Sequence, residues 1–135
     1  MHKSLMRHRV SLCRTEYRRI LILAMADPRH TADESDYIHY QLDRANLLPD
    51  AALPEDVVHV GSKVSYCCDG GRVRTVTTAY PDDADTEAAA VSVLSSVGVS
   101  LIGLQPGQSV RRMDWNRQDF CQYEVLSVTP PSNKT

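Results

Sequence analysis

The sequence lacks a long apolar run, since its longest one, Ile20–Ala26, is far too short to cross a bilayer. It also lacks the combined pattern of a cleavable secretory signal, in which a charged start is followed by an apolar segment and a small-residue cleavage site. We therefore predict a cytoplasmic protein that does not associate with membranes.

A basic excess is missing as well, because 17 acidic residues outweigh 15 lysines and arginines and the isoelectric point is near 6.2. Domains that bind nucleic acid on their own usually carry a strong positive charge. Basic residues do concentrate in residues 1–19, which favours a solvated terminus. We expect nucleic acid to be reached only indirectly, through a larger complex.

Cysteine spacings typical of zinc sites are absent. The four cysteines, Cys13, Cys67, Cys68 and Cys121, form no C-x-x-C or C-x-x-H pattern, which disfavours a zinc site built from them with His59. In a cytoplasmic protein they should stay reduced. We expect no resident metal and no cofactor.

Catalytic motifs are not found either. No two of the five histidines stand at metal spacing with an acid behind them, and no glycine-rich phosphate loop or framed serine nucleophile occurs. With just one Trp and one Phe, the chain offers few residues for a deep aromatic pocket. The sequence predicts no catalytic residues and a protein that is not an enzyme.

The chain of 135 residues is long enough to bury one modest hydrophobic core and to carry an appendage. In residues 1–50 the apolar period is helical: Thr15 is a candidate cap for a helix to Ala26, and Thr31 with Glu34 has capping-box spacing before a second helix, residues 32–47. These predict a short antiparallel helical hairpin, or coiled coil. Residues 46–55, with two prolines, should connect it to the rest.

In residues 51–135 the period changes to two, which predicts strands. Asp69-Gly70-Gly71 is a hairpin signal, and residues 81–87 form an acidic loop. The predicted strands are 63–68, 72–80, the segment ending at Val93, 109–115 and 120–128. The fold class is α+β: an antiparallel sheet of about five strands with one short helix, behind the helical hairpin.

The most informative stretch is 92–110. Ser95 can cap a helix that starts at Ser96, and Gly103 can end it in the left-handed conformation. On so short a helix the apolar residues fall on two sides, one of which can enter the core. The other side, with Val99 and Ile102, must be covered either by the rest of the chain or by a partner, and in the second case it would form an exposed apolar patch.

This stretch resembles the signature of the C-terminal domain of the Gre transcript cleavage factors. Seven residues match that signature in register, namely Ser92, Val93, Ser95, Val97, Leu101, Ile102 and Gly103. Ser96 replaces a proline of the pattern and Gly98 an alanine. More of the chain resembles the short Rnk type, the regulators of nucleoside diphosphate kinase, including Arg72-Val73-Arg74-Thr75 and Tyr80-Pro81.

The resemblance implies an FKBP-like fold for residues 51–135 and a partner, bacterial RNA polymerase, bound near its secondary channel in competition with Gre factors. By analogy with the fold, the docking patch would include Val99, Ile102 and Leu104. Gre factors hold magnesium with acids at a hairpin tip, and the acids at the predicted tip here are Asp27, Asp33, Glu34 and Asp36. Acidic residues are also favoured at the start of a helix when no metal is bound. Because this hairpin is short as well, we expect no stimulation of RNA cleavage.

Two alternatives remain open. The chain could be a cleavage factor that uses Asp33 and Asp36 as metal ligands, or an FKBP-like peptidyl-prolyl isomerase.

Overall fold

The computed structural model describes residues 10–26, 32–43, 45–85, 89–114 and 118–131. Within them the chain forms four helices and seven strands in a mixed α+β fold. The helices are α1 (Arg14–Ala26), α2 (Ala32–Asp43), α3 (Pro81–Ala84) and α4 (Ser96–Leu101). The strands are β1 (Ser11–Cys13), β2 (Asn46–Leu48), β3 (Lys63–Cys68), β4 (Arg74–Ala79), β5 (Ala90–Ser92), β6 (Ser109–Asp114) and β7 (Asp119–Thr129).

The main sheet has five strands, the number that the alternating pattern predicted, and their order is β5-β4-β3-β7-β6. The hairpin at the Asp-Gly-Gly signal is confirmed: Asp69 and Gly70 both have positive φ, and the Gly71 amide donates to the Cys68 carbonyl at 3.0 Å. One pairing differs from the prediction. β4 and β5 run parallel, and the acidic segment between them contains the single-turn helix α3.

The N-terminal part contains a feature that the sequence analysis missed. β1 pairs in parallel with β2, so that the predicted second helix ends at Asp43, and residues 46–48 are extended. The reason is long-range pairing: the Asn46 amide donates to the Val10 carbonyl at 2.7 Å. Pro49, directly after β2, also disfavours helix in the residue before it.

The start of α1 also differs from the prediction. The helix begins at Arg14, so Thr15 lies inside it and is not its cap. Instead, the Thr15 hydroxyl donates to Asp50 Oδ2 at 2.6 Å, and the Thr15 amide donates to Asp50 Oδ1 at 3.3 Å. This anchors α1 to the 3-10 turn Asp50–Ala52.

One hydrophobic core joins the helices and the sheet. Ile20 and Ala24 of α1 and Ile38 and Leu42 of α2 are buried in the same cluster as the inward side chains of the sheet. Each helix thus buries two apolar residues that are four positions apart, in agreement with the helical apolar period of the sequence. The division into residues 1–50 and 51–135 stays a prediction, but the described parts of the two share this core.

Candidate functional site

The helix α4 forms as its sequence predicted. The Ser95 hydroxyl accepts a hydrogen bond from the Gly98 amide at 3.1 Å, which caps the first turn. At the other end Gly103 has φ +85°, the left-handed conformation that ends helices. The local signals of this stretch therefore determine its local structure.

The predicted docking patch on this helix is not exposed. Val99, Ile102 and Leu104 have 4%, 2% and 0% of their surface accessible. Of the two alternatives for the second apolar side of α4, the described structure shows cover by the rest of the chain. Both sides are buried, and these three side chains contribute to the core.

The residues that cover α4 come from distant parts of the chain. The amide of Ser11 donates to the carbonyl of Gly103 at 3.2 Å, and the amide of Gly103 donates to the carbonyl of Val58 at 3.0 Å. Val58 in turn donates its amide to the Leu104 carbonyl at 2.9 Å. The strand β1 and the segment before β3 thus close over the end of α4.

Gly98, where the Gre pattern has alanine, fits α4 tightly against β5. A Cβ built on Gly98 would collide with the carbonyl oxygen of Ser92 and would lie 2.8 Å from the Cα of Val93. A backbone neighbour cannot rotate away as a flexible side chain can. Glycine at this position therefore allows α4 to lie directly against the backbone of Ser92 and Val93.

The predicted tip acids are only partly described. Asp27 lies outside the described residues, and Asp33 is within α2 but its side chain is outside them. Glu34 is half-buried and Asp36 is exposed in the first turns of α2. Their proposed role at a hairpin tip stays a prediction.

Exposed apolar side chains occur on the two helices instead. Ile22 and Met25 of α1 are 59% and 70% accessible, and Tyr40 of α2 is 56% accessible. Neither helix uses these positions for the shared core. The sequence analysis missed them because it followed only the apolar stripe that faces inward. The sequence does show these apolar residues, because Ile22 and Met25 lie one to two residues away from the inward-facing stripe of α1 and therefore point in another direction.

Where α1 meets the segment before β3, three polar groups converge in a mostly buried place. Glu16 Oε2 lies 3.5 Å from His59 Nδ1, and it accepts the Val60 amide at 3.2 Å. The side chains of Glu16 and His59 are only 15% and 18% accessible. Burial raises the pKa of Glu16 above its ordinary value, while the nearby His59 acts in the opposite direction.

Cys13 completes this cluster from the end of β1. Its side chain is buried, and burial raises the pKa of its thiol, with a smaller opposite effect from the hydrogen bond of the Glu16 backbone. One ligand atom from each of Cys13, Glu16 and His59 lies within 4.8 Å of the others. Sequence spacing alone did not reveal this, because the two segments are distant along the chain.

A shallow cleft of about 170 Å³ lies between α1 and α3. The Arg19 guanidinium stacks over the Tyr80 ring there, 4.4 Å from its centroid. Arg19 is thus engaged by a protein side chain.

No helix in the described part of the chain has the length and apolar character needed to cross a membrane.

Comparisons with known proteins point in one direction. Residues 53–130 match the family described as "Transcription elongation factor, GreA/GreB, C-term". Proteins of Escherichia coli K12 and of Shigella flexneri, both named "Regulator of nucleoside diphosphate kinase", are 34% identical over 77 residues. That match covers 56% of this chain and 57% of each relative, so the chain spans little more than half the length of these curated relatives.

A solved structure has the same overall fold. "Prokaryotic transcription elongation factor GreA/GreB from Nitrosomonas europaea" superposes with a TM-score of 0.66 at 22% identity, over 91% of this chain and 99% of that one. At that identity the likeness shows the fold alone.

Proposed function

This chain belongs to the GreA/GreB family of transcription elongation factors, through its C-terminal type of domain, and from that membership we propose that it regulates transcription by binding bacterial RNA polymerase. The match of residues 53–130 carries the proposal, because it includes α4 and all five strands of the main sheet. The same match makes a transcription regulator of this family a better candidate than an enzyme. Nucleic acid would be met only through the transcription complex.

The proposed place of action is the mouth of the secondary channel, with the two N-terminal helices as the obstructing part. We propose that α1 and α2 form an antiparallel hairpin and that the main sheet has the FKBP-like arrangement. The hairpin is supported by two consecutive helices that contact each other and share one core. Because α1 and α2 are anchored in the core of the sheet, they would move with it as one unit.

The proposed contact surface is on these helices rather than on α4. Ile22, Met25 and Tyr40 together offer exposed apolar side chains, whereas the α4 residues are buried. Ile22 and Met25 are three residues apart on α1, so they are neighbours on one helix surface. Neighbouring exposed apolar side chains are typical of interaction sites. This surface therefore supports docking in a way that Val99, Ile102 and Leu104 do not.

The proposed role is competition with Gre factors without stimulation of RNA cleavage. A helix of 13 residues, the length of α1, spans about 20 Å. So short an arm would leave its tip far from a deeply buried active centre. The acidic tip would then affect access to the channel rather than supply magnesium ligands.

The test is displacement of a fluorescently labelled Gre factor from purified core RNA polymerase. The full chain should displace the label in a dose-dependent way, and the double variant Ile22→Glu with Met25→Glu should weaken displacement at least about ten-fold, because it places charge in an apolar contact. Val73→Glu is the matched control, since Val73 is an exposed apolar residue at 54% accessibility outside the helices. It should compete as well as the parent chain.

Failure of the parent chain to bind core polymerase would contradict the proposed function. Binding that survives the double variant unchanged, with folding intact, would contradict the proposed contact surface but leave polymerase binding in place.

A further inference from the structure

The cluster formed by Cys13, Glu16 and His59 has the composition of a transition-metal site. Thiolate, imidazole and carboxylate are the three groups that bind Zn²⁺ in proteins. Cys13 ends β1 directly before α1, and Glu16 follows in the first turn of α1. His59 comes from the segment before β3. The fold thus brings two short sequence segments together around one point.

The distances between the three ligand atoms are compatible with a shared cation. Glu16 Oε2 and His59 Nδ1 are 3.5 Å apart, which is longer than a well-formed N–H···O hydrogen bond. Around a tetrahedral Zn²⁺ with bonds of about 2.0–2.3 Å, neighbouring ligand atoms lie about 3.5 Å apart. All three ligand atoms here lie within 4.8 Å of one another, so small side-chain shifts would complete the site.

The carboxylate of Glu16 has a buried oxygen with no partner. Oε2 accepts the Val60 amide, but Oε1 is buried and has no hydrogen bond from the described residues. A buried acceptor without a partner costs free energy and is expected to have a reason. A cation bound by both carboxylate oxygens would supply the missing partner of Oε1.

The ring of His59 is already oriented for binding. His59 Nε2 lies 3.4 Å from the Pro54 carbonyl oxygen, while Nδ1 faces Glu16. Histidine ligands commonly donate the ring N–H that is not bound to metal to a backbone carbonyl, which leaves the other nitrogen free for the metal.

We propose that Cys13 Sγ, the Glu16 carboxylate and His59 Nδ1 bind one divalent transition-metal ion of the zinc class, with water at the fourth position. A thiolate and a carboxylate neutralise the two charges of the ion, and His59 binds as neutral imidazole. The Cys13 thiol gives its proton to solvent on binding. Asp50, which also hydrogen-bonds the Cys13 thiol, adds negative potential beside the site, and Arg14 lies near Asp50.

A metal at this point would join α1 to the segment before β3. The ion would hold the orientation of the helix pair relative to the main sheet, where the Val60–Glu16 hydrogen bond and the Thr15–Asp50 contacts already act. This role does not depend on what the helices bind.

The experiment is titration of the reduced, metal-free full chain with Co²⁺, followed by competition with Zn²⁺. Co²⁺ bound to a thiolate gives a sulfur-to-cobalt charge-transfer absorption that aqueous Co²⁺ lacks. The parent chain should show this band at one equivalent and lose it when Zn²⁺ is added. Cys13→Ser should abolish the band, and His59→Gln and Glu16→Gln should each weaken Co²⁺ binding at least about ten-fold.

Two cysteine variants serve as controls. Cys67 is buried in β3 outside the cluster, so Cys67→Ser should keep the full band. Cys121 belongs to a second group with Cys68 and Asp69, and Cys121→Ser should also keep it. One equivalent of Zn²⁺ should raise the thermal midpoint of the parent chain and not that of Cys13→Ser.

Three results would overturn the proposal. They are no charge-transfer band in the parent chain, a full band in Cys13→Ser, and loss of the band in Cys121→Ser. If Cys13→Ser fails to fold by circular dichroism, His59→Gln decides, because unchanged Co²⁺ affinity in that variant would also reject the site.

Discussion

The backbone amide of Ser11 donates to the carbonyl of Gly103 at 3.2 Å, which ties β1 to the end of α4. The space beside Gly103 is correspondingly small, since a Cβ there would collide with Val10 and lie 2.9 Å from the Ser11 carbonyl oxygen. This contact explains why α4 has no exposed apolar side. The N-terminal segment covers the helix that resembles the family signature most clearly.

Ile102→Glu should therefore unfold the protein rather than remove a docking contact. Ile102 is 2% accessible, and a carboxylate placed there would lose its hydration without a partner. We expect a loss of about 4 kcal/mol or more in the free energy of unfolding, measured by urea denaturation. Met25→Glu, at a 70% accessible site, should stay within about 0.5 kcal/mol of the parent chain. Equal stability of the two variants would contradict the burial of α4.

Gly98→Ala should destabilise the chain although alanine is the family residue at this position. The added Cβ would collide with the Ser92 carbonyl oxygen, and relief requires α4 to move away from β5. We expect a loss of about 3 kcal/mol in the free energy of unfolding.

Gly107→Ala separates the steric effect from backbone strain. Gly107 has φ +89° but no atom within 4 Å of an added Cβ, so only strain of about 1 kcal/mol is expected. If Gly98→Ala lowers the free energy of unfolding no more than Gly107→Ala does, the close packing of α4 on β5 is contradicted.

Structure encoded by neighbouring residues was predictable from the sequence. Ser95 and Gly103 define α4 because a cap and a left-handed stop act within a few residues. Asp69 and Gly70 define the β3–β4 hairpin for the same reason. The family resemblance, which rests on these local patterns, is confirmed as well.

Features that depend on distant residues were not predictable. Thr15 looks like a cap, but its hydroxyl reaches Asp50, 35 residues away. The pairing of β1 with β2 left no periodic signal, since each strand has three residues. The meeting of Glu16 with His59 likewise depends on how α1 lies on the sheet, and so does the burial of Val99.

Tyr123→Phe should leave stability unchanged or raise it by up to about 1 kcal/mol. The Tyr123 side chain is buried, and its hydroxyl has no hydrogen-bond partner among the described residues. Burial is also the main cause that raises the pKa of this phenol. Removing an unpaired buried hydroxyl removes a desolvation cost. A loss of more than about 1 kcal/mol in urea denaturation would mean that the hydroxyl has a stabilising partner.

Glu16→Gln should change the pH dependence of stability in the metal-free protein. Burial raises the pKa of Glu16 above the ordinary 4.5, partly opposed by His59 and reinforced by Asp50. The folded state therefore binds a proton at Glu16 more tightly than the unfolded chain does. The resulting contribution to the free energy of unfolding is complete below pH 4.5, and it is lost as the pH rises through the higher folded pKa.

Thermal midpoints measured from about pH 4 to about pH 8 should show the parent chain losing stability relative to Glu16→Gln as the pH rises. Glu55→Gln removes one negative charge at an exposed position and is the control. Parallel curves for the parent chain and Glu16→Gln would contradict the raised pKa.

The most direct test of the account is Gre-stimulated cleavage of RNA in stalled, backtracked RNA polymerase complexes, measured with increasing amounts of this chain. We predict that the chain alone produces no cleavage and that it suppresses the cleavage caused by the Gre factor, with loss of suppression in the Ile22→Glu and Met25→Glu double variant. Cleavage by the chain alone that disappears when Asp33 and Asp36 are both changed to Ala would contradict the account and identify a true cleavage factor.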